Sequence, residues 1–102
     1  MPEVDVEVLR REMDGGAFVL DVRQPDEFAE GHVPGAVLIP LDQLEARVAE
    51  VPEDGPIYVV CRSGARSALA AGALRQAGYD ATNVAGGTLA WVEAGFPVDQ
   101  PS

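Results

Sequence analysis

Short apolar runs recur along the chain and are separated by segments with helical periodicity. The runs are "AFVLDV" at 17–22, "AVLIP" at 36–40, "IYVVC" at 57–61 and "ATNVAGG" at 81–87. Most of these runs are nearly continuous in apolar residues and do not alternate with polar ones, which is typical of strands covered on both faces. The pattern therefore predicts buried strands of a parallel sheet.

The intervening segments are predicted to be helical, with apolar residues on one face in 4–16 and 41–51 and only a brief helical turn in 24–32. They are residues 4–16, 24–32, 41–51, 65–78 and 88–95. In the first segment Asp5 is placed to cap the helix, and Gly15 and Gly16 are placed to end it. Alternation of strands and helices predicts an α/β fold, with a mostly parallel central sheet of about five strands and helices on both faces. Residues 97–102 are expected to form a loose tail.

Composition limits the possible partners. The chain has 102 residues, which we interpret as one domain, 1–102, and carries a formal net charge of −10, which disfavours nucleic acid and anionic membrane. No apolar run approaches the length of a bilayer span, and the acidic first residues lack the pattern of a secretory signal. We therefore expect a cytoplasmic protein with no membrane partner. All seven basic residues are arginine, which excludes a lysine Schiff base.

The single cysteine, Cys61, stands at the end of an apolar strand and before a predicted helix. One cysteine forms no internal disulfide, so its chemistry requires a partner molecule. Three features favour the thiolate: the amides that begin the helix, the backbone freedom of Gly64, and the charges of Arg62 and Arg66. The alternative is a small core residue, but the polar and basic residues that follow favour a nucleophile in an anion-binding loop.

The loop "CRSGARS" resembles the active-site loop of rhodanese-like sulfurtransferases. The upstream segment "LDVRQPDEFAEGHVPGAVLIP" and the downstream segment "NVAGGTLAWVEAGFPV" are similar to the other signatures of that family, in the same order. The resemblance covers nearly the whole chain. It implies a single-domain rhodanese-like fold.

The resemblance also implies a mechanism in which Cys61 takes a sulfur from a donor such as thiosulfate and becomes a persulfide. A thiol, an acceptor protein or, in an assay, cyanide then removes that sulfur. No cofactor or metal is expected, and the protein is expected to be a monomer or a homodimer. The residues that would bind the substrate are Arg62, Ser63, Gly64, Ala65, Arg66 and Ser67.

Two alternative functions stay open. Phosphatases and arsenate reductases of similar fold have one more residue in the loop, whereas here four residues separate Cys61 from Arg66. The shorter loop suits a sulfur atom better than a tetrahedral oxyanion. A non-catalytic module that carries sulfur or binds a partner is the second alternative, although this chain keeps the cysteine, the glycine and both arginines.

Several residues outside the loop have two interpretations. Asp21 and Arg23 end a strand that we expect beside the Cys61 strand, where Asp21 either accepts a hydrogen bond from the loop or orients Arg66, or makes only a local cap. His32 is either a general base or a structural residue, and we favour the structural role, in which it bonds the turn before Pro34. Gly86 and Gly87 are predicted to permit close backbone approach near the pocket or to form a plain turn. Trp91 is predicted to lie in the core and not to contact a ligand. Thr88 replaces an aromatic residue common in the family, and at the pocket mouth it would make the entrance more open and more polar.

Overall fold

A parallel sheet forms the centre of the protein. The structure is a computed structural model and describes residues 2–100. Its five strands are β1 (Glu3–Val4), β2 (Phe18–Asp21), β3 (Val37–Leu38), β4 (Pro56–Val60) and β5 (Asp80–Val84). They lie in the order β1-β5-β4-β2-β3, and all four neighbouring pairs are parallel. The predicted α/β class is confirmed, and the sheet has the expected number of about five strands, of which the sequence located the four from β2 to β5.

Five α-helices are present among the described residues: α1 (Val6–Asp14), α2 (Pro25–Glu30), α3 (Leu44–Arg47), α4 (Ala65–Gln76) and α5 (Gly87–Glu93). The Asp5 carboxylate accepts a hydrogen bond from the Val8 amide at 2.9 Å, which confirms the predicted cap. The segment predicted as one helix over 41–51 is instead a short α-helix between two 3-10 turns. Such turns are common where a short helix begins and ends.

The first strand was not predicted, because residue 4 was assigned to the first helix. In the structure Glu3 pairs with Asn83 and Val4 with Val84, so β1 is an edge strand beside β5. Two residues are too few to show a strand period, and only the pairing with β5 identifies the strand.

The core has one apolar layer on each face of the sheet. Successive residues of β4 alternate between them, with Ile57 and Val59 in one layer and Tyr58 and Val60 in the other. The first layer is covered by α4 and the 41–51 segment, and the second by α1 and α5. Each fully buried Val, Leu or Ile contributes about 1.5–3 kcal/mol. Because different helices cover the two layers, the predicted helices on both faces of the sheet are confirmed.

The segment after α5 is tied to the body of the protein as far as residue 100. Asp99 and His32 exchange two backbone hydrogen bonds at 2.9 and 3.0 Å, and the Trp91 indole donates to the Pro97 carbonyl at 2.7 Å. The structure thus differs from the predicted loose tail over residues 97–100, because a buried indole N–H requires an acceptor. Residues 101 and 102 lie outside the described residues. Within residues 2–100, no helix combines the length and apolar character that a bilayer crossing requires.

Candidate active site

Cys61 lies immediately beyond the carboxyl end of β4, where a short loop leads into α4. Gly64 ends the loop with φ +112°, a left-handed conformation that side chains with a Cβ rarely adopt. That conformation turns the chain so that the first amides of α4 face back toward the cysteine. The loop "CRSGARS" therefore has the position that the sequence predicted.

The Cys61 sulfur is surrounded by hydrogen-bond donors although its residue is only 1% exposed. The Gly64 amide donates to Sγ at 3.1 Å, and the Ser67 hydroxyl lies 3.3 Å from Sγ. Burial raises the pKa of the thiol, but hydrogen bonds from the Ser67 hydroxyl and from the amides of Ser67, Gly64 and Ser63 lower it. The net result is a pKa below the ordinary value of a cysteine. The site therefore stabilises the thiolate more than the surroundings of an ordinary cysteine do.

The beginning of α5 holds the loop from the other side. The amides of Thr88 and Leu89 donate to the carbonyls of Cys61 and Arg62 at 2.9 and 3.0 Å. A Cβ on Gly87 would lie 2.3 Å from the Cys61 carbonyl oxygen, so only glycine permits this approach. The predicted close backbone contact is confirmed at Gly87.

Thr88 is buried and lines the groove beside the loop. Its hydroxyl donates to the Cys61 carbonyl at 3.2 Å. The hydroxyl is thus occupied in holding the loop, and it does not simply widen or polarise the entrance.

Arg66 forms a bidentate ion pair with Glu27 of α2. Its two terminal nitrogens lie 2.7 and 2.8 Å from the two carboxylate oxygens. The Arg66 guanidinium lowers the pKa of Glu27 from 4.5 to about 2. Much of the Arg66 charge is therefore balanced by Glu27, a residue that the sequence analysis did not single out. The available signal was its place after β2, the strand next to β4.

Asp21 and Arg23 act on the site indirectly, through the helix α2. Asp21 pairs with Val60 across the sheet, which confirms that their strands are neighbours. The Asp21 carboxylate is buried and binds the Arg23 side chain at 2.8–3.1 Å. Its hydrogen bonds thus go to Arg23, not to the loop or to Arg66 as one hypothesis proposed. The reason is that Arg23 is only two residues from Asp21, so its guanidinium can bond the carboxylate without any contribution from the loop.

Arg23 in turn holds α2 in place. It donates to the backbone carbonyls of Glu27 and Gly31 at 3.3 and 2.9 Å. These bonds fix the helix that presents the Glu27 carboxylate to Arg66. Asp21 and Arg23 are therefore positioning residues in this structure.

A groove of about 480 Å³ opens beside the loop. Arg62 is exposed and lines this groove. The other lining residues include the partly exposed apolar Leu89, Val92 and Val98 and the acidic Glu27, Glu30 and Glu93. The groove is thus lined by apolar side chains, acidic groups and two arginines, Arg23 and Arg62.

Two further residues reach the cysteine through Ser67 and were missed by the sequence analysis. Asn83 Oδ1 lies 2.5 Å from the Ser67 hydroxyl oxygen, and Asn83 Nδ2 donates to the Glu3 carboxylate at 2.8 Å. Ser67 and Asn83 are both buried. A polar residue in the middle of the run "ATNVAGG" was the available signal, since buried polar side chains in strands require partners.

His32 and Trp91 have structural positions. The carbonyl of Phe28 can only accept, so His32 Nδ1 carries a hydrogen and donates to it at 2.9 Å, at the end of α2. The His32 ring also stacks on the Phe28 ring at 3.6 Å. The bond is thus to α2 and not to the turn before Pro34. Trp91 is buried at 1% exposure, which confirms its core position.

Comparison with known proteins agrees with this geometry. The model of the Rhodanese-like domain family matches residues 5–94. A protein named Sulfurtransferase from Allochromatium vinosum is 38% identical over 97% of this chain and 95% of its own length. The putative sulfur carrier protein YrkF of Bacillus subtilis is 36% identical over 89% of this chain, which spans 51% of that protein.

A solved structure shows the same fold throughout. The crystal structure of a rhodanese-related protein from Thermoplasma volcanium superimposes with a TM-score of 0.94 at 31% identity. The match covers 99% of this chain and 100% of that one. With the family model, the relatives and the architecture in agreement, the chain belongs to the rhodanese-like domain family.

Proposed function

We propose that the protein is a sulfurtransferase that moves a sulfane sulfur from thiosulfate or a similar donor to a thiophilic acceptor through a persulfide on Cys61. The observation that supports this most directly is the ring of donors around Sγ, formed by the Gly64 amide at 3.1 Å and the Ser67 hydroxyl at 3.3 Å. These donors stabilise negative charge on sulfur, which both the thiolate and the persulfide carry.

The proposed reaction has two displacement steps. The Cys61 thiolate attacks the outer sulfur of thiosulfate, the S–S bond breaks, and sulfite leaves with the bonding electron pair. A nucleophilic acceptor then attacks the outer sulfur of the persulfide and restores the Cys61 thiolate. No external oxidant or reductant is required.

The charges around the loop bear on the donor. Glu27 balances much of the Arg66 charge, so the loop amides and Arg62 are the groups that would attract an anion such as thiosulfate. We propose the cytoplasm as the location and a thiol or a thiol-bearing protein as the acceptor there. The apolar residues of the groove, Leu89, Val92 and Val98, offer such a protein contact area that a small anion would not use.

A sulfur-carrying module without turnover is the second candidate. It is favoured by the similarity to a protein named as a putative sulfur carrier. Such a module would accept sulfur at Cys61 but would release it only slowly. A phosphatase or arsenate reductase is a weaker candidate, because four residues between Cys61 and Arg66 make a tighter loop than a tetrahedral oxyanion requires.

Mass spectrometry of the intact protein tests the proposal. After incubation with thiosulfate we expect the wild-type chain to gain the mass of one sulfur atom, and Cys61→Ser to gain none. Addition of cyanide should remove the added mass and release thiocyanate over many turnovers. An adduct that forms but turns over only once would favour the carrier, and hydrolysis of a phosphate ester without any sulfur adduct would contradict the proposal.

A further inference from the structure

A chain of four polar side chains leads from the edge of the sheet to the cysteine. It runs from Glu3 on β1 to Asn83 on β5, then to Ser67 on α4 and to Cys61. Glu3 is exposed, whereas the other three residues are buried. An exposed carboxylate is thereby connected to a buried thiol.

The Ser67 hydroxyl has one proton and two possible acceptors. Asn83 Oδ1 lies at 2.5 Å and Cys61 Sγ at 3.3 Å, so the shorter contact holds the proton while Cys61 is a neutral thiol, and the hydroxyl donates to sulfur only when the thiolate forms. To stabilise a thiolate, Ser67 must rotate its O–H toward sulfur. Asn83 Oδ1 then loses its partner inside the protein, which costs free energy.

Glu3 decides which end of the Asn83 amide faces Ser67. A carboxylate can only accept, so the bond of 2.8 Å to Glu3 must come from Nδ2. That bond turns Oδ1, the competing acceptor, toward the serine. Without Glu3 the amide is free to flip, and Nδ2 would then donate to Ser67 Oγ and direct the serine proton toward sulfur.

We propose that Glu3 is a positioning residue which, through Asn83, holds the Ser67 proton away from the Cys61 sulfur and so restrains the reactivity of the thiol. The inference rests on the proposed function only in taking Cys61 as the reactive group. Arg66, which is paired with Glu27, interacts electrostatically with Cys61 and with Asp21, and Arg62 follows Cys61 in the chain. The test changes none of these charged groups.

The test is the pH dependence of the alkylation rate of Cys61, the only thiol of the chain. The rate with iodoacetamide is measured from about pH 5 to about pH 10, a range that spans the ordinary pKa of a cysteine thiol. For Glu3→Ala we expect the midpoint to fall by about 0.4–1 pH unit, the equivalent of one hydrogen bond. Ser67→Ala should raise the midpoint, because the hydroxyl that stabilises the thiolate is gone.

The double variant of Glu3→Ala and Ser67→Ala shows whether a shift of the midpoint comes from the hydrogen-bond chain or only from the loss of a negative charge. If Glu3 acts through Ser67, adding Glu3→Ala to Ser67→Ala will not move the midpoint further. An equal shift in both backgrounds would mean that Glu3 acts by charge alone, and the proposal would be overturned. An unchanged or higher midpoint in Glu3→Ala would overturn it as well.

Two further variants complete the design. Glu53→Ala removes the same charge from an exposed turn at the opposite end of β4, and its midpoint should equal that of the wild type. Asn83→Ala removes the competing acceptor without changing charge and should lower the midpoint as Glu3→Ala does. A rise in Asn83→Ala would contradict the proposed direction. Alkylation requires no sulfur donor, so these results stand whether or not the sulfurtransferase assay succeeds.

Discussion

The reactivity of Cys61 depends on a balance between burial and local hydrogen bonds. Burial alone would keep the thiol protonated, as in an ordinary core cysteine. The donors from Ser63, Gly64 and Ser67 act in the opposite direction and lower the pKa overall. The same side chain is therefore part of an apolar cluster and yet suited to nucleophilic attack.

At this scale we predict that Cys61 reacts with iodoacetamide with a midpoint at lower pH in the folded protein than in the unfolded chain. The reason is that the Gly64 amide and the Ser67 hydroxyl are held near sulfur only by the fold. The pH–rate profile is measured in buffer and again in concentrated urea. Equal midpoints in the two conditions would show that the loop does not stabilise the thiolate.

The active loop is held between elements that are far apart in the chain. The N-terminus of α5 binds the carbonyls of Cys61 and Arg62, and α2 supplies Glu27 to Arg66 on the other side. The loop thus depends on the packing of both helices against the ends of β4 and β2. Changes in these helices should alter the site without touching the cysteine.

Gly87→Ala tests the contact with α5. The new Cβ would lie 2.3 Å from the Cys61 carbonyl oxygen, so α5 and the loop must separate. We expect stability to fall by about 1–3 kcal/mol and the rate of persulfide formation to fall at least about tenfold. Urea denaturation and mass spectrometry measure the two effects.

Gly95→Ala is the matched control for this prediction. Gly95 also has a positive φ, +80°, but a Cβ there would meet nothing within 4 Å. It should lose some stability through backbone strain and keep the rate of persulfide formation. If both variants lose that rate equally, the close approach at Gly87 is not what matters.

Glu27→Gln tests the contact with α2. The pKa of Glu27 is lowered to about 2, so its ion pair with Arg66 stabilises the protein at pH values above the ordinary 4.5. This contribution is lost as the pH falls through about 2. Because solvent screens this partly exposed pair, the variant should be less stable than the wild type by about 0.5–1.5 kcal/mol at about pH 7, and the difference should shrink toward about pH 2.

Urea denaturation at several pH values measures this difference. Glu53→Gln removes the same charge from an exposed turn and should change stability by less than about 0.5 kcal/mol at about pH 7. If the difference in stability between Glu27→Gln and the wild type stays constant down to about pH 2, the ion pair is not its source.

The net negative charge of the whole molecule acts against the attraction of the loop for an anion. A net charge of −10 repels an anionic donor at long range, and salt screens that repulsion beyond roughly 8 Å at physiological ionic strength. Glu27, Glu30 and Glu93 bring acidic charge to the groove itself. Long-range repulsion and short-range attraction by the loop therefore differ in their response to salt.

From this we predict that the KM for thiosulfate falls as salt is raised from very low values. Added ions weaken the repulsion by distant carboxylates more than the contacts of the loop with the anion. Initial rates of thiocyanate formation over a salt series measure the effect. A KM that rises steadily with salt would mean that attraction by Arg62 and the loop dominates at all distances.

The sequence alone determined the order of the elements from β2 to β5 and the place of the cysteine loop. Apolar runs and helical spacing identify β2 to β5, and the segment Cys61–Ser67 carries within seven residues the cysteine, the glycine and the helix start that form the donor ring. These features depend on residues close together in the chain, so a single sequence displays them.

Tertiary structure alone decided the partners of these residues. Glu27 is 39 positions from Arg66, and Glu3 is 80 positions from Asn83. Strand order brings them together, and nothing in the local pattern of the chain specifies which carboxylate meets which donor. The sequence therefore identified the sulfur and its amides, whereas the charge balance of Arg66 and the hydrogen-bond chain behind Ser67 depend on how the sheet is assembled.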